Sequence, residues 1–185
     1  MPADADVTVR VQTRACLPDD APFLRALFAA HCTHFLALGL PQPALETLLD
    51  QQYAFQQADY SRRFPNARKL IALVDEAPVG HMMIEDDGAA LHLVDIAVAP
   101  SARRRGYGRA LVQQVQQQAS ATGRRAVTLS VDPMNQAALH LYQALGFETV
   151  ETHPVQWRMA WSPRSRAVKQ SACSDTLSIL TTTKG

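Results

Sequence analysis

Arg103-Arg104-Arg105-Gly106-Tyr107-Gly108-Arg109-Ala110-Leu111 lies between a predicted strand that Pro100 stops and a predicted amphipathic helix from about Gly106 to Ala121. A strand, a glycine-bearing loop and a helix N-terminus array unpaired backbone N–H groups around a concavity, and the helix dipole favours an anion there. Glycine lets that anion approach the backbone without a Cβ in the way. Arginines at the positive end of a helix oppose its macrodipole, at a cost of ~0.3–1 kcal/mol each. The cluster Arg103, Arg104, Arg105 and Arg109 therefore points to a bound polyanion, and a pyrophosphate fits. A solvated basic turn is the bland alternative. A Walker A loop is excluded because Gly-x-x-x-x-Gly-Lys-Ser/Thr is absent. A Rossmann fingerprint is disfavoured by Leu111, which stands where a third glycine or alanine is required.

Upstream of the loop the texture is that of strands: Leu70 to Val74, a turn at Asp75 to Pro78, Val79 to Glu85, a turn at Asp86-Asp87-Gly88, and Leu91 to Val98. Asp-Gly between apolar runs is a hairpin signal, so an antiparallel meander is expected. Farther upstream, Val7, Val9 and Val11 alternate with polar residues as in a half-buried strand. Asp19 or Asp20 is placed to cap a helix carrying Phe23, Leu24, Leu27 and Phe28 at 3.6-residue spacing. A second helix is expected from Leu45 to about Tyr60, with Leu45, Leu48, Leu49 and Tyr53 on one stripe and Gln51, Gln52, Gln56 and Gln57 facing polar surroundings.

Downstream, a buried strand is expected over Ala126 to Val131, a helix from about Asn135 to Leu145, and strands near Phe147 to Glu151 and Val155 to Trp161. Val155, Trp157, Met159 and Trp161 share parity in the last of these. This order predicts an α/β fold with a mixed, mostly antiparallel sheet and helices on both faces. Residues 1–162 are expected to form the domain. Residues 163–185 are rich in Ser, Thr and Lys and read as a mobile tail, with Leu177 to Leu180 as a segment that could dock.

The chain of 185 residues has room for one domain with a sizeable core but not for two catalytic ones. With 18 basic against 17 acidic side chains, a global polyanion binder is not expected, which leaves the local arginine cluster as the feature to explain. Cys16, Cys32 and Cys173 are widely spaced and odd in number, unlike a secreted disulfide framework or a CxxC site. Neither a signal sequence nor an apolar run of about 18 residues is present, so a cytoplasmic protein without membrane attachment is expected.

Arg103 to Gly108 resembles the Arg/Gln-x-x-Gly-x-Gly/Ala signature of the GNAT acetyltransferases, and Asp95-Ile96-Ala97-Val98-Ala99-Pro100 resembles the strand before it. Asn135, Ala138, Leu141-Tyr142 and Leu145-Gly146-Phe147 resemble the Asn-x-x-Ala…Leu-Tyr…Gly-Phe end of the same domain. The resemblance covers roughly residues 7 to 161, strongly from Leu91 to Phe147. It implies the GNAT-like acyl-coenzyme A N-acyltransferase fold, with acetyl-coenzyme A as co-substrate, no metal, and direct attack of a primary amine on the thioester. The amine belongs to a small molecule or a peptide; no nucleic-acid partner is implied, and a homodimer stays open.

By the same resemblance, Ile96, Ala97 and Val98 run beside the pantetheine and acetyl group, with an N–H near Val98 polarising the carbonyl. Arg103, Arg104, Arg105, Gly106, Tyr107, Gly108 and Arg109 form the pyrophosphate cradle. Asn135 and Tyr142 are nearly two helical turns apart, so both can face one groove with small Ala138 between them. Tyr142 is the expected proton donor to the departing thiolate, with a helix-core aromatic as its plain alternative.

His92, Asp95 and a water relay are the candidate bases. His92 shares strand parity with Val94, Ile96 and Val98 and has an ordinary pKa near ~6.5, whereas Asp95 needs burial to rise from ~3.9. A bulge in the strand would exchange their faces. His31 and His34 are one turn apart around Cys32, but no fourth ligand has matching spacing, and no metal is expected. Glu85, Asp86 and Asp87 are either a solvated turn or a lure for a cationic acceptor. A non-catalytic acyl-coenzyme A sensor is the main rival; a nucleic-acid module lacks aromatic residues interleaved with the arginines.

Overall fold

The computed structural model describes residues 10–163. Its elements are β1 (Gln12–Ala15), α1 (Ala21–His31), α2 (Gln42–Arg63), β2 (Arg68–Val74), β3 (Ala77–Asp86) and β4 (Ala90–Val98), followed by α3 (Tyr107–Ala121), β5 (Ala126–Val131), α4 (Gln136–Ala144), β6 (Glu148–Thr152) and β7 (Trp157–Trp161). The hydrogen-bonded strand order is β1-β2-β3-β4-β5-β7-β6. The described chain divides into two compact units, residues 10–86 with 93–112 and residues 87–92 with 113–163.

In the first unit β1 pairs antiparallel with β2, and β2 with β3. The β2–β3 hairpin turns through Asp75 (φ 49°) and Glu76 (φ 64°), the two positive φ values of a type I′ turn. Ile71 stands opposite His81 in this ladder. Because side chains alternate between faces, Lys69, Ile71 and Leu73 lie on one side of β2, and His81 lies on that side of β3. Leu24 of α1 packs with Ile71 and Leu73 there, joined by Phe23 and Tyr53.

In the second unit β7 is flanked by β5 and β6, both antiparallel to it. Val127 faces Trp161 and Leu129 faces Met159, so the apolar parity of β5 meets that of β7 and all four residues are buried. Helix α4 ends in a Schellman motif: Phe147 N–H donates to the Tyr142 carbonyl and Gly146 N–H to the Gln143 carbonyl, each at 3.0 Å. Gly146 supplies the required left-handed conformation, φ 85°. The ring contact that accompanies this motif is Tyr142 on Phe147, with centroids 5.7 Å apart.

Several expectations need correcting. Among the described residues the first strand is Gln12–Ala15, at the downstream end of the alternating stretch, while Val7 and Val9 lie outside the described residues, as does the tail beyond Pro163. Asp20 does not cap α1. It accepts the Leu17 N–H at 2.8 Å and holds Arg14 through two bonds of 2.6 and 2.7 Å, so the carboxylate ties the end of β1 to the turn before the helix. Pro78 lies inside β3, at the register shift between Ala72 and Leu73. Helix α2 is longer than expected, and Gln57 is engaged rather than solvated, accepting a bond from Lys69 Nζ. Val155 precedes β7 and is exposed, so only Trp157, Met159 and Trp161 keep the shared parity.

Candidate active site

One cavity, of about 120 Å³, opens in the first unit on the α1 side of the β2–β3 ladder. Leu24, Leu27 and Phe28 of α1 and Tyr53 of α2 form its apolar wall, and Lys69, His81 and Asp95 bring charge and titratable groups from three successive strands. His81 Nε2 stands 3.4 Å from Asp95 Oδ2. The histidine side chain is 12% exposed and the carboxylate 26%, so a ligand entering the cavity meets Asp95 more openly than His81. Burial pushes the His81 pKa below its ordinary value, and the Asp95 charge opposes that shift without overcoming it. His81 is therefore neutral at neutral pH. Its Nδ1 is buried without a hydrogen-bond partner. Tyr60 is pushed strongly upward, first by burial and then by the Asp95 charge, and stays protonated.

His81 was missed in the sequence. It sits in Val79-Gly80-His81-Met82-Met83-Ile84, where a single histidine in an apolar run reads as core. Parity gave no signal either, since Met82 and Ile84 on one face and Met83 on the His81 face are all buried.

The arginine loop belongs to the same unit. After the turn Pro100–Ala102, Arg104 takes φ 58° and Gly106 φ 82°, and α3 begins at Tyr107. The Ala110 N–H donates back to the Gly106 carbonyl, so the N–H groups of Tyr107, Gly108 and Arg109 form the open first turn. Arg104, Arg105 and Arg109 are exposed. Arg103 is committed elsewhere: Nη2 lies 2.9 Å from His31 Nε2 and Nε donates to the Val98 carbonyl at 3.4 Å. His31 Nδ1 is 2.8 Å from the Leu27 carbonyl, which can only accept. The ring therefore carries its proton on Nδ1 and offers the Nε2 lone pair to Arg103.

Gly80 shapes the end of β4. A Cβ on it would strike the Ala97 carbonyl oxygen and come within 3.2 Å of Val98 Cα. With all described peptides trans, an Ala97 carbonyl turned onto Gly80 directs the Val98 N–H away from it. The next amide, Ala99 N–H, is held by the Val79 carbonyl at 2.8 Å.

The remaining candidates lie in the second unit. His92 Nδ1 is 2.9 Å from Thr128 Oγ1. Asn135 caps α4, its side-chain oxygen accepting the Ala138 N–H at 3.1 Å. Ala138 is half-buried and Tyr142 is 6% exposed. Among the described residues no group of three His, Cys, Asp or Glu side chains is arranged to hold a metal, and the His34 ring contacts that of Phe35 with centroids 4.1 Å apart and a 43° tilt. No described helix is long and apolar enough to cross a membrane.

The model of the acetyltransferase (GNAT) family matches residues 32–147. The chain belongs to the GNAT acetyltransferases. It is 39% identical over 112 residues to the peptidyl-lysine N-acetyltransferase YiaC of Escherichia coli K12, spanning 73% of that protein and 51% of this one. It is 31% identical over 147 residues, 77% of its length, to the mycothiol acetyltransferase of Gordonia bronchialis, of which it spans 44%. In fold it is similar to the PaiA N-acetyltransferase of Thermoplasma acidophilum, solved with coenzyme A, with TM-score 0.64, 15% identity, and coverage of 83% of this chain and 99% of that one. The fold is thus the mixed, mostly antiparallel GNAT sheet with its helices, and the chain is an acetyl-coenzyme A-dependent N-acetyltransferase.

The residues present suit that donor. Three exposed arginines and an open first helical turn preceded by Gly106 match a pyrophosphate in charge and hydrogen bonding. Beyond them, the bare Gly80 backbone receives the Ala97 carbonyl and sets the direction of the Val98 amide.

Proposed function

We propose that this GNAT enzyme acetylates a primary amine seated over Asp95 and His81, in the cavity between α1, α2 and strands β2 to β4. The single observation that carries the reading is the half-buried His81–Asp95 contact of 3.4 Å in the lining of that cavity, in the unit that also holds the arginine loop. Acetyl-coenzyme A supplies the acetyl thioester, whose C–S bond breaks as the C–N bond to the amine forms.

An aliphatic amine arrives mostly as its cation, with a pKa near ~10, and must shed a proton before it can attack. Asp95, the more exposed partner, attracts the cation and orients its N–H groups. That first proton leaves to solvent; of the two left on nitrogen, one becomes acidic as the C–N bond forms, so a base of depressed pKa suffices, and neutral His81 takes it directly or through Asp95. The Val98 N–H polarises the acetyl carbonyl, Arg104, Arg105 and Arg109 hold the phosphates, and Tyr142 delivers a proton to the sulfur. This arrangement favours Asp95, with His81, over His92 as the base. His92 keeps a plain structural partner in Thr128.

The relatives' names admit two kinds of acceptor, a lysine side chain of a peptide and an amine on a small molecule. Release of coenzyme A thiol, followed with a chromogenic disulfide across an amine panel, tests the reading. Binding of acetyl-coenzyme A without thiol release for any amine would instead indicate a sensor.

A further inference from the structure

Lys69 places a cation in the wall of the same cavity whose floor carries Asp95. Its Nζ donates to Gln57 Oε1, and none of the ion pairs among the described residues includes it. Among the described residues lining the cavity, Asp95 alone is acidic. Lys69 and His81 lie on one side of the β2–β3 ladder, one step diagonal to each other, because Ile71 is the residue opposite His81. Diagonal neighbours have Cα atoms roughly 7–8 Å apart, within reach of a long side chain. Consistent with that spacing, the Lys69 charge helps depress the His81 pKa.

We propose that the acceptor is an apolar α-amino acid whose amino group sits on Asp95 and His81 and whose carboxylate sits on Lys69. This rests on the acetyltransfer reading above and narrows it. A molecule that bridges the two charges must carry an amine and an anion a few bonds apart. Leu24, Leu27, Phe28 and Tyr53 offer its side chain an apolar wall. The cavity volume of about 120 Å³ suits a compact acceptor. A polyamine would set a second cation against Lys69 with no second carboxylate to receive it. A lysine side chain of a peptide brings no carboxylate near its amine. In the reaction the α-nitrogen bonds to the acetyl carbon, its proton passes to Asp95 and His81, and coenzyme A leaves as the thiol.

The test compares L-leucine, L-methionine and L-phenylalanine with their carboxamides and decarboxylated amines, alongside spermidine and a lysyl peptide. Thiol release is measured and the products are identified by mass spectrometry. The wild-type protein should favour at least one free amino acid over its amide by about tenfold or more in kcat/KM, the range of a charge-assisted hydrogen bond. Lys69→Met should bring that ratio to about one, and Lys69→Arg should retain it. Equal use of acid and amide by the wild type overturns the inference, as does acetylation of spermidine or the lysyl peptide without acetylation of any amino acid. Both outcomes leave N-acetyltransfer standing. Absence of thiol release with every amine overturns both readings.

Discussion

His81 Nε2 and Asp95 Oδ2 face each other at 3.4 Å across adjacent strands, with the histidine the more buried partner. Burial lowers the His81 pKa and the Asp95 carboxylate partly restores it. If this pair deprotonates the acceptor, the acidic limb of the kcat/KM profile lies below the ordinary histidine value of ~6.5. Asp95→Asn removes the charge that favours imidazolium, so the limb should move to still lower pH while the rate falls. His81→Gln should lower kcat by about 10²-fold or more, within the range of general bases, and erase that limb. An unchanged limb in His81→Gln returns the role to His92 or to a water relay. Stability follows the same sign. A depressed histidine pKa means the unfolded chain binds the proton more readily, so wild-type stability should decline as pH falls from ~6.5 toward the lowered value. His81→Gln should lack that decline in thermal melts.

Gly80→Ala tests whether the end of β4 is set by a missing side chain. The new Cβ would meet the Ala97 carbonyl, a backbone atom that cannot swing aside, and would press on Val98 Cα as well. Strand β4 must then shift at the Val98 amide, which the proposed mechanism sets against the acetyl carbonyl. A displacement of this kind should cost ~10-fold or more in kcat, since catalytic donors lose effect steeply with misplacement. Acetyl-coenzyme A binding through the arginine loop should change less. Wild-type kcat in Gly80→Ala would show that the Val98 amide is not critical.

Much of the fold was legible because periodicity and punctuation coincide in this chain. Strand β5 falls on its expected residues, Ala126–Val131, since its alternating Val and Leu residues face an equally regular β7. The Leu145-Gly146-Phe147 end of α4 was readable because Gly146 must adopt a left-handed φ there. Asp20 misled because an aspartate before a helix is a good cap, while here Arg14, six residues earlier, claims the carboxylate and holds its pKa down to about 2. The cavity that holds His81 and Asp95 was mostly invisible, since it depends on the β2–β3 register that brings Lys69 and His81 to one face. A spacing of twelve residues across a hairpin carries no periodic signal.

Arg103 and His31 offer a test of how the donor loop is held. The guanidinium bridges His31 Nε2 and the Val98 carbonyl, which joins the start of the loop to the end of α1 and to the end of β4. Replacing His31 by Ala leaves Arg103 with the carbonyl alone. The contact is exposed, so water recovers part of the loss, and acetyl-coenzyme A affinity should weaken by only about three- to tenfold. His31→Gln, which can offer an oxygen to Arg103, should restore much of it. Titration calorimetry with acetyl-coenzyme A reads both variants, and equal affinity in wild type and His31→Ala would leave the bridge without a role in donor binding.

Tyr142 presents two roles that one substitution separates. Its ring belongs to the Schellman end of α4, packing on Phe147 at 5.7 Å, and its backbone carbonyl accepts the Phe147 N–H at 3.0 Å. A packing role alone would be met by any aromatic ring. The proposed chemical role needs the hydroxyl, which delivers a proton to sulfur as the C–S bond breaks. A thiol of pKa ~8.5 already leaves fairly well, so the phenol supplies only part of the barrier reduction, within the ~10²- to 10⁴-fold range of general acids. Tyr142→Phe keeps the ring, the helix end and the fold, and thermal melts should stay close to wild type. Its kcat should fall by about 10-fold or more while acetyl-coenzyme A affinity changes little. Single-turnover measurements place the effect on the chemical step; a wild-type rate in that step would make Tyr142 a packing residue and leave the thiolate to be protonated by solvent.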